Sequence, residues 1–260
     1  MVSWQSVPLW DDCAWDDDAL APDIVLPAAE VSDVPADGTL GVFDLETTGV
    51  DVCEDRIVTA HVGVLDAQGR VVSAQSWLAD PGIEIPAGAT AVHGITTAHA
   101  RAAGRAAAEV VAEVTAALRA LFVRGIPVVA YNAPFDFSML KYEGMRLGVE
   151  PIANPSPVVD PLVVDKTYDR YRRGKRTLEV VAAHYAVPLE GAHDAAADAV
   201  AAGRVAQAIA ARFGLELGST ELHTQQVSWA RAQAESLTQY FISIGRLDPE
   251  DALDGSWPIR

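Results

Sequence analysis

The sequence predicts an α/β fold, with a mixed central sheet flanked by helices and an added C-terminal helix. Three observations carry this reading. Three strand-like segments follow one another directly, and strand-like and helix-like segments alternate after them. Half of the 260 residues are apolar, enough for a sizeable core. No apolar run approaches the roughly 18 residues that a membrane span requires.

The first strand is Leu40-Gly41-Val42-Phe43-Asp44, an apolar run that leads into Thr47-Thr48-Gly49. Residues 56–66 and 70–78 are rich in Val and Ile and read as the second and third strands, with Ala67-Gln68-Gly69 as a hairpin turn. Residues 102–123 carry Val110, Val111, Val114, Leu118, Leu121 and Phe122 at helical spacing, and Gly125 follows as a stop. Residues 126–131 are a fourth, buried strand, and Pro134 suits the first turn of the next helix. A short strand at Val158-Val159-Asp160 leads into a helix from Pro161. Residues 177–185 and 194–213 read as helices, and a last one runs from about Gly218 to Ile244 as a brace on the core.

Charge divides the chain into three parts. Residues 1–36 hold eight acidic and no basic side chains and read as a largely disordered arm. Within it, Gln5-Ser6-Val7-Pro8-Leu9-Trp10 has the look of a short docking peptide for a replication or repair partner. Residues 37–214 form the folded core, and residues 215–260 a C-terminal helical extension. The formal net charge of −17 does not exclude a polyanionic partner, because local potential governs encounter. Residues 166–176 carry six basic side chains against one aspartate, interleaved with Tyr168 and Tyr171. That composition suits a surface that tracks a nucleic-acid strand, with Arg172, Arg173 and Lys175 as contacts, although a solvated helix end has the same composition. The aspartate-rich start has no basic segment followed by an apolar one, so a cytoplasmic protein is expected. Cys13 and Cys53 match no metal-ligand spacing and are expected to be reduced thiols.

Five residues carry the chemistry: Asp44, Glu46, Asp136, His193 and Asp198. On a strand, side chains at i and i+2 share a face, so Asp44 and Glu46 converge while Leu45 points into the core. Two carboxylates on one face repel unless a cation lies between them. Asp136 falls in the first turn of a helix after a buried strand, at the strand ends where open α/β sheets place their sites. His193 precedes a helix in a glycine-containing loop, and Asp198 lies inside that helix. Taken singly, each has an ordinary explanation: a strand exit, a first-turn acid, a surface histidine. Asp194 itself reads as an ordinary first-turn acid.

Together the five suit two-metal hydrolysis of a phosphodiester, since Mg²⁺ and Mn²⁺ prefer oxygen ligands. In that scheme Asp44 bridges two divalent cations, Glu46 and Asp198 hold one, and Asp136 supports the other largely through water. His193 is the general base, because a histidine side chain, ordinarily with a pKa of about 6.5, can accept a proton near neutrality.

Asp44-Leu45-Glu46-Thr47-Thr48-Gly49, Tyr131-Asn132-Ala133-Pro134-Phe135-Asp136 and His193 through Asp198 resemble the three motifs of the DEDDh 3′–5′ exonuclease family. Within that family the chain is similar to the DNA polymerase III epsilon subunit and ribonuclease T. Ala91-Val92-His93-Gly94-Ile95-Thr96 resembles the loop that the family places between its first two motifs. The resemblance covers about residues 38–213. It implies a ribonuclease H-like fold, two Mg²⁺ or Mn²⁺ ions and release of nucleoside 5′-monophosphates from 3′ ends. The expected substrate is a single strand, DNA ahead of RNA, although the sequence does not decide between the two. The resemblance further implies that Asp44, Glu46, Asp136 and Asp198 are metal ligands, that His193 is the base, and that Thr47 and His93 contact the terminal nucleotide. Asn132 is a further candidate contact. A competing reading keeps the fold as a non-catalytic nucleic-acid-binding or assembly module.

Overall fold

A computed structural model describes residues 38–189, 193–248 and 250–260. The expected disordered arm and its docking peptide lie outside the described residues, as does most of the loop before His193. Among the described residues, six strands form one mixed sheet. Three antiparallel neighbours come first: β1 (Leu40–Thr47), β2 (Ile57–Leu65) and β3 (Val71–Asp80). β4 (Arg105–Ala106) lies parallel to the end of β3, and β5 (Val128–Val129) and β6 (Val158–Val159) extend the other side in parallel. The spatial order is β4-β3-β2-β1-β5-β6.

Alternation along β1 decides which helices cover which face. Phe43 and Leu45 join the larger core cluster with Val110, Val114 and Leu118 of α3 (Ala107–Val123) and Phe137 and Met139 of α4 (Ala133–Leu147). Val42 turns the other way, beside Leu65, and packs with Ala199, Ala202 and Ala206 of α7 (Ala195–Phe213). Gly203 permits that contact, because a Cβ there would fall 2.5 Å from Val42 Cγ1 and 2.6 Å from Leu65 Cδ1. Asp44 and Glu46 share the parity of Val42 and so lie on the face that α7 covers.

Two short helices, α1 (Ala87–His93) and α2 (Thr97–Ala103), occupy the stretch before α3. The helix expected over 102–123 therefore starts later, at Ala107. Gly104 explains the break: a Cβ there would lie 2.3 Å from the Ala100 carbonyl oxygen and 2.6 Å from the Asp80 nitrogen, so the chain passes tightly against β3. The fourth strand is also shorter than the apolar run suggests, with only Val128 and Val129 paired.

After α5 (Pro161–Tyr168) and α6 (Leu178–His184), α8 (Thr220–Ser243) closes the β6 edge. Its side chains act as ladder partners. Val158 donates its backbone N–H to His223 Nδ1 at 3.1 Å, and Gln226 Nε2 donates to the Val158 carbonyl at 3.0 Å. An exposed sheet edge is thus satisfied by a helix. The terminal segment returns to the core: Trp257 is buried there, and Arg260 donates its backbone N–H to Ser138 Oγ at 2.9 Å. Cys53, expected as a reduced thiol, is disulfide-bonded. Among the described residues, no helix is long and apolar enough to cross a membrane.

Candidate active site

β5 ends early, so its pairing with β1 stops at Val42. The outer edge of β1 beyond that point has backbone groups without a parallel strand to take them. Asp136 fills this gap: it is 3% exposed, and its Oδ1 accepts the Leu45 N–H at 3.1 Å. The first turn of α4 is set in place by another carboxylate. Asp160, fully buried, accepts the backbone N–H groups of Asn132 and Ala133 at 3.0 Å each and caps α5 through Leu162 N–H at 2.9 Å. Asn132 stands in the left-handed region at φ 66°, which asparagine tolerates.

On the α7 side, Asp194 Oδ1 accepts the Ala196 N–H at 2.9 Å as the helix N-cap. That start places Asp198 one turn in, over β1. Carboxylate oxygens of Asp44, Glu46 and Asp198 all lie within 4.8 Å of one another. The Asp198 carboxylate also accepts the His193 backbone N–H at 3.2 Å, and its other oxygen is buried without a partner among the described residues.

This crowding carries an electrostatic cost. Burial, followed by the charge of Asp136 and then of Glu46 and Asp198, pushes the Asp44 carboxyl well above the ordinary carboxylate range. Burial and the nearby Asp198 and Asp194 raise Glu46 to about 8. Asp136 and Asp198 are raised as well, mainly by burial, while the Leu45 and His193 N–H groups pull in the other direction. Four carboxyls with raised pKa values on one patch are what an oxygen-ligand cation site shows when only protons are available to neutralise it. The donor set fits a hard divalent cation. Asp44, Glu46 and Asp198 provide a converging oxygen cluster, and Asp136 stands beside Asp44 with one oxygen committed to the β1 backbone.

His193 is exposed, with φ 70°, at the mouth of α7. His93 ends α1, accepts the Ile95 N–H on Nδ1 at 3.1 Å, and lies beside the Thr47 backbone and within the field of His193. The structure therefore groups His93, Thr47 and His193, which are distant in sequence. Thr47 Oγ1 is occupied locally, donating to the Gly49 carbonyl at 2.5 Å. The segment from Ala91 to His93 is helical; it is not part of a loop.

Arg172, which the sequence offers as a substrate contact, is turned inward. Its guanidinium reaches Asp165 at 2.5 Å and Asp169 at 3.0 Å. Arg173 and Lys175 stay exposed. Tyr168 is packed against Phe213 and Trp229, with ring centroids 5.1 and 5.7 Å away.

Sequence reasoning missed Asp160, His61 and Gly203. His61 lies opposite Asp44 in the β1–β2 ladder, is 4% exposed and hydrogen-bonds Ser76 Oγ through Nδ1 at 2.7 Å. A histidine within a Val-rich strand was its one available signal. Asp160 before Pro161 could have been read as a helix cap. Nothing local marked Gly203 inside an alanine-rich helix.

A six-stranded mixed sheet with its acidic cluster where β1 meets α7 defines a class, and comparison with known proteins agrees with it. The chain belongs to the RNase_T exonuclease family, whose model matches residues 42–206. It is 31% identical over 167 residues to a DNA polymerase III subunit epsilon-like protein of Rhodobacter capsulatus, spanning 63% of this chain and 22% of that one. It is 29% identical over 170 residues to the PolC-type DNA polymerase III of Streptococcus thermophilus, spanning 65% of this chain and 11% of the relative. The chain thus matches only a minor part of these larger proteins. Among solved structures, E. coli exonuclease I in complex with a dA16 oligonucleotide matches with a TM-score of 0.59 and 22% identity, covering 68% of this chain and 42% of that one. The fold is ribonuclease H-like.

Proposed function

We propose that this chain is a metal-dependent 3′–5′ exonuclease that hydrolyses phosphodiester bonds at the 3′ end of single-stranded nucleic acid, preferring DNA. The observation that carries the reading is the convergence of Asp44, Glu46 and Asp198 oxygens within 4.8 Å, beside Asp136, in a chain of the exonuclease family. Asp44, Glu46, Asp136 and Asp198 would hold two divalent cations, Mg²⁺ or Mn²⁺. When bound, such ions supply charge neutralisation at the scissile phosphate and acidify water.

The chain's own residues do the rest. Water attacks phosphorus, the bond to the 3′ oxygen of the preceding sugar breaks, and a nucleoside 5′-monophosphate leaves; the freed oxygen takes a proton from solvent and becomes the 3′ hydroxyl of the shortened strand. His193 accepts the attacking water's proton, a role suited to its exposed place at the mouth of α7. His93 and the Thr47 segment seat the terminal nucleotide, and Asn132 lines the approach. Exonuclease I, bound to an oligonucleotide in the matched structure, supports a single-stranded substrate. A cytoplasmic setting and a replication or repair partner for the acidic arm belong to the same reading.

The test is a time course on 5′-labelled single-stranded DNA and RNA of one sequence, with Mn²⁺ and with EDTA. A metal-dependent ladder that shortens from the 3′ end is expected, faster on DNA, and absent in Asp44→Ala. No cleavage of either strand while metal binding is demonstrated would return the chain to a non-catalytic binding module.

A further inference from the structure

The segment between α5 and α6 is built in an unusual way for a solvated charge run. Asp165 is fully buried, and three donors converge on its carboxylate: Arg172 and Arg176 at 2.5 Å each, and the Tyr185 hydroxyl at 3.0 Å. Arg176 also donates to the backbone carbonyls of Asp169 and Arg172 at 2.6 and 3.0 Å, so the guanidinium fills the inside of the loop. Burying such charges is costly unless every one is paired. A stretch needed only for solubility has no use for that architecture.

Two of the cations therefore serve as an internal frame, and the residues between and beside them are held out to solvent. Arg170, Tyr171, Arg173 and Lys175 all face outward. Among the described residues, no carboxylate pairs with Arg170, Arg173 or Lys175. Tyr171 is 89% exposed, with the Arg170 guanidinium over its ring at 5.9 Å. The loop is also fastened to the candidate site's own framework. Tyr131, next to Asn132 in the Asn132–Asp136 segment, donates its hydroxyl proton to the Arg176 carbonyl at 2.6 Å.

From this geometry we propose that the 169–176 loop is a rigid platform for the single strand on the 5′ side of the reacting end. Tyr171 is a stacking surface for a base, and Arg170, Arg173 and Lys175 meet backbone phosphates. The occupant follows from charge and ring together. Unpaired cations at the edge of an otherwise acidic chain select a polyanion, and an exposed aromatic face selects one whose bases are unstacked. Asp165, Arg172 and Arg176 are positioning residues. The proposal rests on the nuclease reading for its direction along the strand, and on the loop alone for binding.

The experiment uses the full chain and labelled oligonucleotides in EDTA, so that binding is read without turnover. Tyr171→Ala is expected to weaken binding of a long single strand about 5- to 150-fold, the worth of one stacked base. Tyr171→Phe, which keeps the ring, is expected to bind like the parent. Arg173→Ala/Lys175→Ala is expected to reduce the salt slope by about 1.4, the loss of two phosphate contacts on a single strand. With metal restored, KM for the long strand is expected to rise in Tyr171→Ala while kcat holds. Unchanged affinity and salt slope in these variants overturn the platform. Equal binding to a blunt duplex overturns the single-strand assignment. Tyr171-dependent binding in a protein that releases no mononucleotide would overturn the exonuclease reading and leave the platform standing.

Discussion

Gln226 Oε1 accepts the Asp160 backbone N–H at 2.7 Å, while its Nε2 donates to the carbonyls of Val158 and Leu222. A side chain of the last helix thereby completes the outermost strand of the sheet at the residue whose carboxylate holds Asn132 and Ala133. Helix α8 is joined to the acidic site through this residue, by hydrogen bonds wholly removed from water.

Gln226→Leu keeps the volume but strips partners from two buried backbone groups, Asp160 N–H and Val158 C=O. Each such loss costs about 1–3 kcal/mol. Urea denaturation is expected to show a stability loss of about 2–4 kcal/mol with the slope unchanged. An unaltered midpoint would show that α8 does not complete this edge.

The carboxyl cluster makes stability of the metal-free protein depend on pH in an unusual sense. Glu46 titrates at about 8 in the folded chain against an ordinary 4.5, and Asp44, Asp136 and Asp198 are shifted in the same direction. The folded state then holds more protons than the unfolded one, so stability falls as pH rises. The contribution is complete below about 4.5 and is lost as pH climbs through about 8. In EDTA, the melting temperature is expected to drop between about pH 5 and 8.5, and millimolar Mn²⁺ is expected to reverse most of that drop. A flat metal-free profile would mean the four groups do not share one site.

Gly203→Ala sets two effects against each other. Alanine gains about 1 kcal/mol of helix propensity over glycine. Its methyl group would meet Val42 Cγ1 at 2.5 Å, and overpacking of this kind costs about 1–3 kcal/mol. Val42 is β-branched and stiff, so packing is expected to win. Melting temperature should fall and hydrolysis should slow, because Asp198 rides on the same helix. A variant more stable than the parent and equally active would remove the close-approach role.

His193 is exposed and donates its backbone N–H to Asp198. His193→Ala is expected to leave the melting curve in place while slowing hydrolysis about 10²–10⁴-fold, the usual worth of a positioned base. An unchanged rate at neutral pH would assign proton removal elsewhere.

Much of this was legible in the linear chain, for local reasons. Strand alternation put Asp44 and Glu46 on one face, and the capped start of α7 fixed where Asp198 sits in its first turn. The long helices were legible because their apolar positions repeat at helical spacing. The shortness of β5 was not, because an apolar run does not say where a neighbouring strand stops pairing. The basic stretch read as uniform, since composition cannot separate an arginine that faces water from one drawn onto a buried aspartate.

Near neighbours in the chain are enough to set the order of elements, the apolar faces that pack them and the identity of the acidic residues available to a metal. Folding alone brings about three further relationships. Asp136 spends one oxygen on the Leu45 N–H, His93 stands beside Thr47 and His193, and Arg172 and Arg176 build the loop on which Tyr171 stands. Those relationships join residues up to 100 positions apart. They exist only once burial has forced distant polar groups to find one another, because an unpaired buried donor or charge costs more than the fold can spare.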